Sequence, residues 1–400
     1  MRVKMPEIAP SQRHDSLDAL RGFAVLAMLA VNIQLFAWVW ISADIPALQA
    51  SFEGWGNRAV WLVTQSLISQ SGATLFAVLF GAALVLSAQA ARDNPLRQWP
   101  RLSWLLLLGL LHAYLFWFGD LLVPLALVAM IVVTANSMTV RGLWGLGLGL
   151  IGFTGLMLLA GSGIGSLIGG NITAAEAMGF NPEAITHIEA LYQTGFLARL
   201  GYNMSIALQS EMMQIVFMSG RLAGCMLLGM AGVRSGFLTG HWTQRQYGLI
   251  AAIALALGVI VCAAGAWHSL ASGFSPAAVL QNRVTQYFGS LALALGYAAA
   301  FVLAAQLDLA RAGRAALAAV GRMPISNYFL QTLLMTFLFV GFPGLGQFGQ
   351  VDRLGQALIV LSIWVAQVFG SIFWLQRYQY GPVEWLWRSL AAGRVQAWLR

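Results

Sequence analysis

Charge is what this chain has least of: only 9% of its 400 residues are Asp, Glu, Lys or Arg. Soluble domains carry about 25%, so a water-soluble globule is excluded. There are two cysteines, Cys225 and Cys262. They lie in separate apolar stretches without metal-ligand spacing, which argues against a disulfide framework or a metal site and for small buried hydrophobes. Also missing are a Walker loop, a GxGxxG turn, an HExxH pair and a G-x-S-x-G elbow after a strand. An ATP pump, a dinucleotide enzyme and a zincin therefore lack support. The basic residues are scattered singly and form no aromatic-interleaved patch, so the formal charge of +8 does not point to nucleic acid.

What is present is hydrophobic length. With 59% apolar residues, the pattern predicts one all-α polytopic transmembrane bundle over 1–400 with about ten spans: 17–41, 60–91, 102–119, 121–136, 142–164, 204–232, 247–268, 285–308, 323–342 and 356–376. If the N-terminus is cytoplasmic, 17 of the 22 Lys and Arg fall on that side, Arg58, Arg199, Arg283 and Arg353 fall outside, and Arg221 lies within a span. That bias places both termini in the cytoplasm. The first span is too long for a cleaved signal, and no transit or lipidation motif is present, so a bacterial inner membrane is the default address.

Between spans the connections are short, as in RDNPLRQWPR from Arg92 to Arg101, where two prolines stop helix continuation. The one long loop, about 165–203, carries a helix signal at NPEAITHIEALY with Asn181 as cap and Pro182 in the first turn. It is expected outside, either covering a substrate site or simply decorating the surface. The tail GPVEWLWRSLAAGRVQAWLR mixes tryptophan with arginine and suits a helix in the cytoplasmic headgroup region.

Polar residues inside the spans are the candidates for function, because burying them costs energy. Asp18, Arg21 and Asn32 fall within about 60° of one another on the first helix and are expected to face the interior. Asp18 and Arg21 should pair near its inner end, with the acid helped by the helix dipole. His112 lies in mid-span and suits a general base or proton relay, or else a core histidine bonded to a neighbouring helix. Asp120 is expected about 12 Å farther along the axis, too far for a hydrogen-bonded dyad. Glu211, Gln214, Met218 and Arg221 recur on one face, where Arg221 needs either an acid on another helix or a polar substrate cavity. Asn327 and Gln331 sit one turn apart and can glue helices or bind a ligand. Arg311, Arg314 and Arg322 match donor phosphates or simply obey the positive-inside rule.

The segments RHDSLDALRGFAVLAMLAVNIQLF, TLFAVLFGAAL, GLLHAYLFWFGDLLVPLAL, VGRMPISNYFLQTLL and YGPVEWLWRSL resemble, in order and spacing, YeiB-like bacterial membrane proteins over nearly the whole chain. The resemblance implies a first-helix signature over about 13–40 and a C-terminal family region over about 230–395. The LDALRGF-type first helix is similar to that of transmembrane acyltransferases, which include O-antigen acetylases and the lysosomal heparan acetyltransferase. That likeness implies acyl transfer from cytoplasmic acyl-CoA as co-substrate, with no permanently bound cofactor, to a small-molecule or glycan acceptor on the other face. Such relatives often carry a histidine near the end of the first helix, where this chain has Asn32. An amide cannot take up a proton, so Asn32 would orient a carbonyl or stabilise an oxyanion, and the base must come from elsewhere. His112 is the candidate, supported by Asp120. Asp18, Arg21, Arg221, Glu211, Asn327, Gln331 and Arg322 are the candidate substrate and donor contacts. The competing reading is a small-molecule or lipid transporter or flippase whose polar stripe lines a path.

Overall fold

In the computed structural model the described residues are 10–90, 98–168, 174–177 and 180–400. The first part, 92–97, of the expected cytoplasmic turn Arg92–Arg101 and the basic residues Arg2 and Lys4 lie outside them. Sixteen α-helices follow one another: α1 Pro10–Ala37, α2 Trp55–Val63, α3 Ser71–Ala90, α4 Trp99–Leu111, α5 Leu122–Val132, α6 Val140–Ile168, α7 Ala174–Ala177, α8 Pro182–Thr194, α9 Phe196–Met213, α10 Ser219–Arg234, α11 Gln244–Ala271, α12 Pro276–Gln306, α13 Arg311–Gly321, α14 Pro324–Phe339, α15 Arg353–Arg377 and α16 Pro382–Ala392. No strand occurs among the described residues beyond one isolated antiparallel bridge, Tyr378 with Leu399.

Among the described residues seven helical stretches are long and apolar enough to cross a bilayer. The other three expected spans are helical but shorter: α4 with its continuation, α5 with a 3₁₀ turn to Ser137, and α14. Large apolar side chains remain exposed at helical spacing, such as Leu249, Ile253, Leu257 and Ile260 on α11 and Leu358, Leu361, Val365 and Phe369 on α15. A helix greasy on its outer stripe needs a lipid solvent, which makes the chain a multi-pass membrane protein.

Three spans are interrupted by π turns, at Thr64–Ile68 between α2 and α3, His112–Phe116 after α4, and Gln214–Met218 between α9 and α10. Nothing in the residue periodicity announced them. One hydrophobic core runs through α1, α3, α5, α10, α12 and α14. A second gathers at one end, where Phe52, Trp61, Phe274, Tyr192 and Phe348 meet. The α8 helix starts as expected, with Asn181 Oδ1 accepting from Ala184 N at 2.8 Å, and near its other end Tyr192 stacks on Phe348 with centroids 4.0 Å apart.

The Gly22 of LDALRGF has a packing reason. A Cβ there would strike the Leu317 carbonyl, and one at Gly321 would strike the Asp18 carbonyl, so α1 and α13 cross backbone to backbone.

Candidate functional site in the broken α4–α5 hairpin

The helix carrying His112 does not continue straight to Asp120. After the π turn, Trp117 takes an extended backbone (φ −158°, ψ 124°) and the chain reverses into α5. The expected 12 Å separation assumed an unbroken helix and is corrected: His112 Nδ1 lies 2.7 Å from Asp120 Oδ1. The other carboxylate oxygen, Oδ2, accepts from Val123 N at 2.7 Å and so caps the first turn of α5. An ionised carboxylate only accepts, so Nδ1–H donates to Asp120, and in the neutral imidazole Nε2 is then the acceptor. The Thr332 hydroxyl of α14 meets Nε2 at 2.8 Å and donates to it in that tautomer. His112, Asp120 and Thr332 are 0%, 1% and 2% exposed. Tyr328 and Phe329 pack their rings 4.9 and 4.8 Å from the imidazole.

A broken helix within a bilayer frees backbone groups that must find partners in the protein. The α9 helix supplies them. Asn203 Nδ2 donates to the carbonyls of Ala113 and Tyr114, both at 3.0 Å, and its Oδ1 accepts from Phe118 N at 3.1 Å. Arg199 donates to the Phe116 carbonyl at 2.7 Å and lays its guanidinium 5.3 Å from the Tyr192 ring centre. Gln214 donates weakly to the Asp120 carbonyl at 3.4 Å, and Tyr114 donates to Glu211 at 3.2 Å. Thr332, Asn203 and Arg199 did not stand out in sequence, since each acts on a residue at least 80 positions away.

Of the expected site residues, the structure brings together His112 and Asp120, with Glu211 beside them through Tyr114. The face shared by Glu211 and Arg221 is broken by the intervening π turn. Arg221 turns instead to Gln70 (2.7 Å), Thr74 (2.8 Å) and Ser290 (2.7 Å), with the Tyr287 ring 4.4 Å away. Its partners are neutral, so the expected acid on a neighbouring helix is not found among the described residues.

Asp18 and Arg21 do pair, at 2.6 Å, and Arg21 also reaches the Gly321 carbonyl at 3.3 Å. However, α1 begins at Pro10, so Asp18 stands in the third turn and the expected dipole contribution does not apply. The pair is about one-fifth exposed, and Asn32 is half-buried and makes no hydrogen bond among those described. The stripe expected to face inward is therefore partly open and shares no bond with His112.

Asn327 and Gln331 join helices. Asn327 Nδ2 donates to Met323 O (3.0 Å) and Ser371 Oγ (3.1 Å), and Gln331 Nε2 donates to Gln367 Oε1 (2.9 Å). Arg322 is exposed and lines a cavity of about 330 Å³ with Gln376 and Arg400. Both cysteines are free and buried.

The tail helix α16 is present, yet it does more than lie at a surface. Glu384 is buried at the N-terminus of α14, accepting from Ile325 N at 2.6 Å, Ser326 N at 3.0 Å and the Ser326 hydroxyl. Burial still pushes its carboxyl above the usual range, with these bonds opposing the shift.

An all-α bundle with lipid-facing apolar stripes and a buried Asp–His pair defines a polytopic membrane protein. It is 31% identical over 401 residues to the uncharacterized protein YeiB of Escherichia coli strain K12, covering 95% of this chain and 96% of that one. It is 26% identical over 390 residues to the uncharacterized protein YxaH of Bacillus subtilis strain 168, covering 95% and 94%. Residues 232–394 match a family model described as a protein of unknown function, DUF418. The chain belongs to the YeiB-like family. No solved structure matches it.

Proposed function

We propose that the protein is a membrane-embedded acyltransferase of the bacterial inner membrane that moves an acyl group from cytoplasmic acyl-CoA to an envelope or periplasmic acceptor. The observation that carries this reading is the continuous chain from Asp120 through His112 to a hydroxyl at 2.8 Å. Asp120 fixes the imidazole with Nε2 as the proton acceptor, the arrangement a general base needs. An acceptor hydroxyl or amine takes the place of the Thr332 hydroxyl and loses its proton to Nε2 while attacking the thioester carbonyl. The C–S bond breaks, and the departing thiolate takes the proton from His112. Asn32 has an uncommitted amide with which to hold the thioester oxygen. Because His112 and Thr332 are closed off, turnover requires α14 to withdraw Thr332.

The test is labelling by purified protein supplied with radiolabelled acetyl-CoA and a membrane extract as acceptor pool. Wild type should label an acceptor, and His112→Gln should fold with a similar unfolding midpoint yet label about 10²- to 10⁴-fold less. Equal labelling removes His112 from the mechanism.

A transport reading draws on the three π turns and the extended break beside a buried His–Asp pair, since discontinuous helices are common at transporter sites. Absence of labelling by wild type across several acyl-CoA donors would favour it.

A further inference from the structure

Arg353 opens α15 and is 2% exposed, yet no carboxylate among the described residues pairs with it. Its neighbour Asp352 faces the helix instead, accepting from Gly355 N at 2.9 Å. The guanidinium donates to Gln34 Oε1 at 2.5 Å and to the Ser42 carbonyl at 2.7 Å, and its Nε–H has no partner. By contrast Arg283, only part-buried, is given Asp44 at 2.6 Å. A buried cation without an anion is the costlier arrangement, since desolvation is offset only by neutral dipoles.

Arg353 lines a cavity of about 340 Å³, within the range of small-ligand sites. One turn farther along α15, Gln356 lines the same cavity, is 2% exposed and has an unpartnered Oε1. Gln34 and Thr64 are the remaining polar members; the rest of the wall is apolar and includes Ile33, Val60 and Trp364. Val63 and Leu361 belong both to this wall and to the exposed apolar surface, so the cavity opens toward lipid.

We propose that this cavity binds one acidic amphiphile drawn from the bilayer. Its head group offers an ionised oxygen to Arg353; a hydroxyl beside that oxygen, where the head group has one, donates to Gln356 Oε1; and its chain lies along the apolar wall. An ionised oxygen displaces Gln34 from the guanidinium because it supplies the opposite charge that the buried cation's neutral acceptors lack. A carboxylate supplies the ionised oxygen without the hydroxyl, and a phosphate ester beside a glycerol hydroxyl supplies both. The proposal does not depend on acyl transfer.

The test uses delipidated full-length protein in dodecyl maltoside, with stearic acid and stearoyl-lysophosphatidylglycerol as acidic probes. Stearyl alcohol and stearoyl-lysophosphatidylcholine are the controls. Native mass spectrometry should count one acidic probe per chain, and the unfolding midpoint should rise saturably with that probe. Arg353→Gln should weaken binding by about tenfold or more, judged by the charge-assisted contact it removes. Ala357→Phe, which fills the cavity while keeping the arginine, should do the same and decides the matter if the arginine variant does not fold. Binding of stearic acid alone assigns a free fatty acid, and binding of the lysophospholipid alone assigns a phospholipid head. Binding of neither, equal binding of stearyl alcohol, or unchanged binding in Ala357→Phe overturns the proposal.

Discussion

Asp120 grips His112 across a chain reversal, with Oδ1 2.7 Å from Nδ1 while Oδ2 starts the next helix. One carboxylate thus sets both the imidazole tautomer and the path of the backbone. Asp120→Asn should keep a cap for Val123 but lose the charged hold on Nδ1–H. Acceptor labelling should fall by about 10²-fold or more, and the unfolding midpoint should drop by an amount matching about 1.5–3 kcal/mol. Unchanged labelling would detach Asp120 from catalysis.

Asn203 serves three backbone groups of the broken hairpin, the carbonyls of Ala113 and Tyr114 and the N–H of Phe118. Asn203→Ala strands them in a region without water. Each buried orphan costs about 1–3 kcal/mol, so the variant should accumulate poorly or melt well below wild type. A midpoint within experimental error of wild type in detergent would show that the hairpin finds other partners.

At Gly22, even a methyl group meets the Leu317 carbonyl. Gly22→Val should push α1 away from α13 and sharply lower the amount of protein recovered from membranes, whereas Ala30→Val, farther along α1, should be tolerated far better. Equal recovery of the two variants would contradict the close crossing.

Glu384 gives a pH dependence with a defined sign. Its carboxyl is raised by burial, so the folded chain keeps the proton to higher pH than the unfolded chain. Stability should fall as pH rises from the ordinary carboxylate range through the folded value and then level off. Melting curves should show this slope in wild type and a shallower one in Glu384→Gln. Parallel slopes would mean that another group titrates.

Orientation is open to a direct check. Reporter fusions after Arg400 should report the cytoplasm, as the Arg distribution predicts. A periplasmic signal there would reverse the topology.

Composition and the lengths of the apolar runs made the helical membrane bundle legible, and spacing alone gave the Asp18–Arg21 pair and the Asn181 cap. The site was harder to read. His112 was visible as an ionisable residue in grease, but its partnership with Asp120 depends on a π turn and one extended residue at Trp117 that no periodicity marks. Thr332 resembled any threonine beside the more conspicuous Gln331. Arg199 and Arg353 were counted as exterior charges, and only the folded chain shows them buried.

The support that α9 gives to the hairpin also constrains how this protein can move. Asn203 and Arg199 tie α9 to the His112 turn by four hydrogen bonds, while α14 reaches the hairpin by two, Thr332 to the imidazole and a long bond from Tyr328 to Gly119 at 3.5 Å, beside the packed rings of Tyr328 and Phe329. The hairpin and α9 therefore form one braced unit, against which α14 closes with the Thr332 hydroxyl. Parting α14 from the hairpin at Thr332 breaks few hydrogen bonds between those two elements, although Asn327, Gln331 and Glu384 anchor the rest of α14. The same displacement of α9 would tear the backbone scaffold that gives the histidine its place.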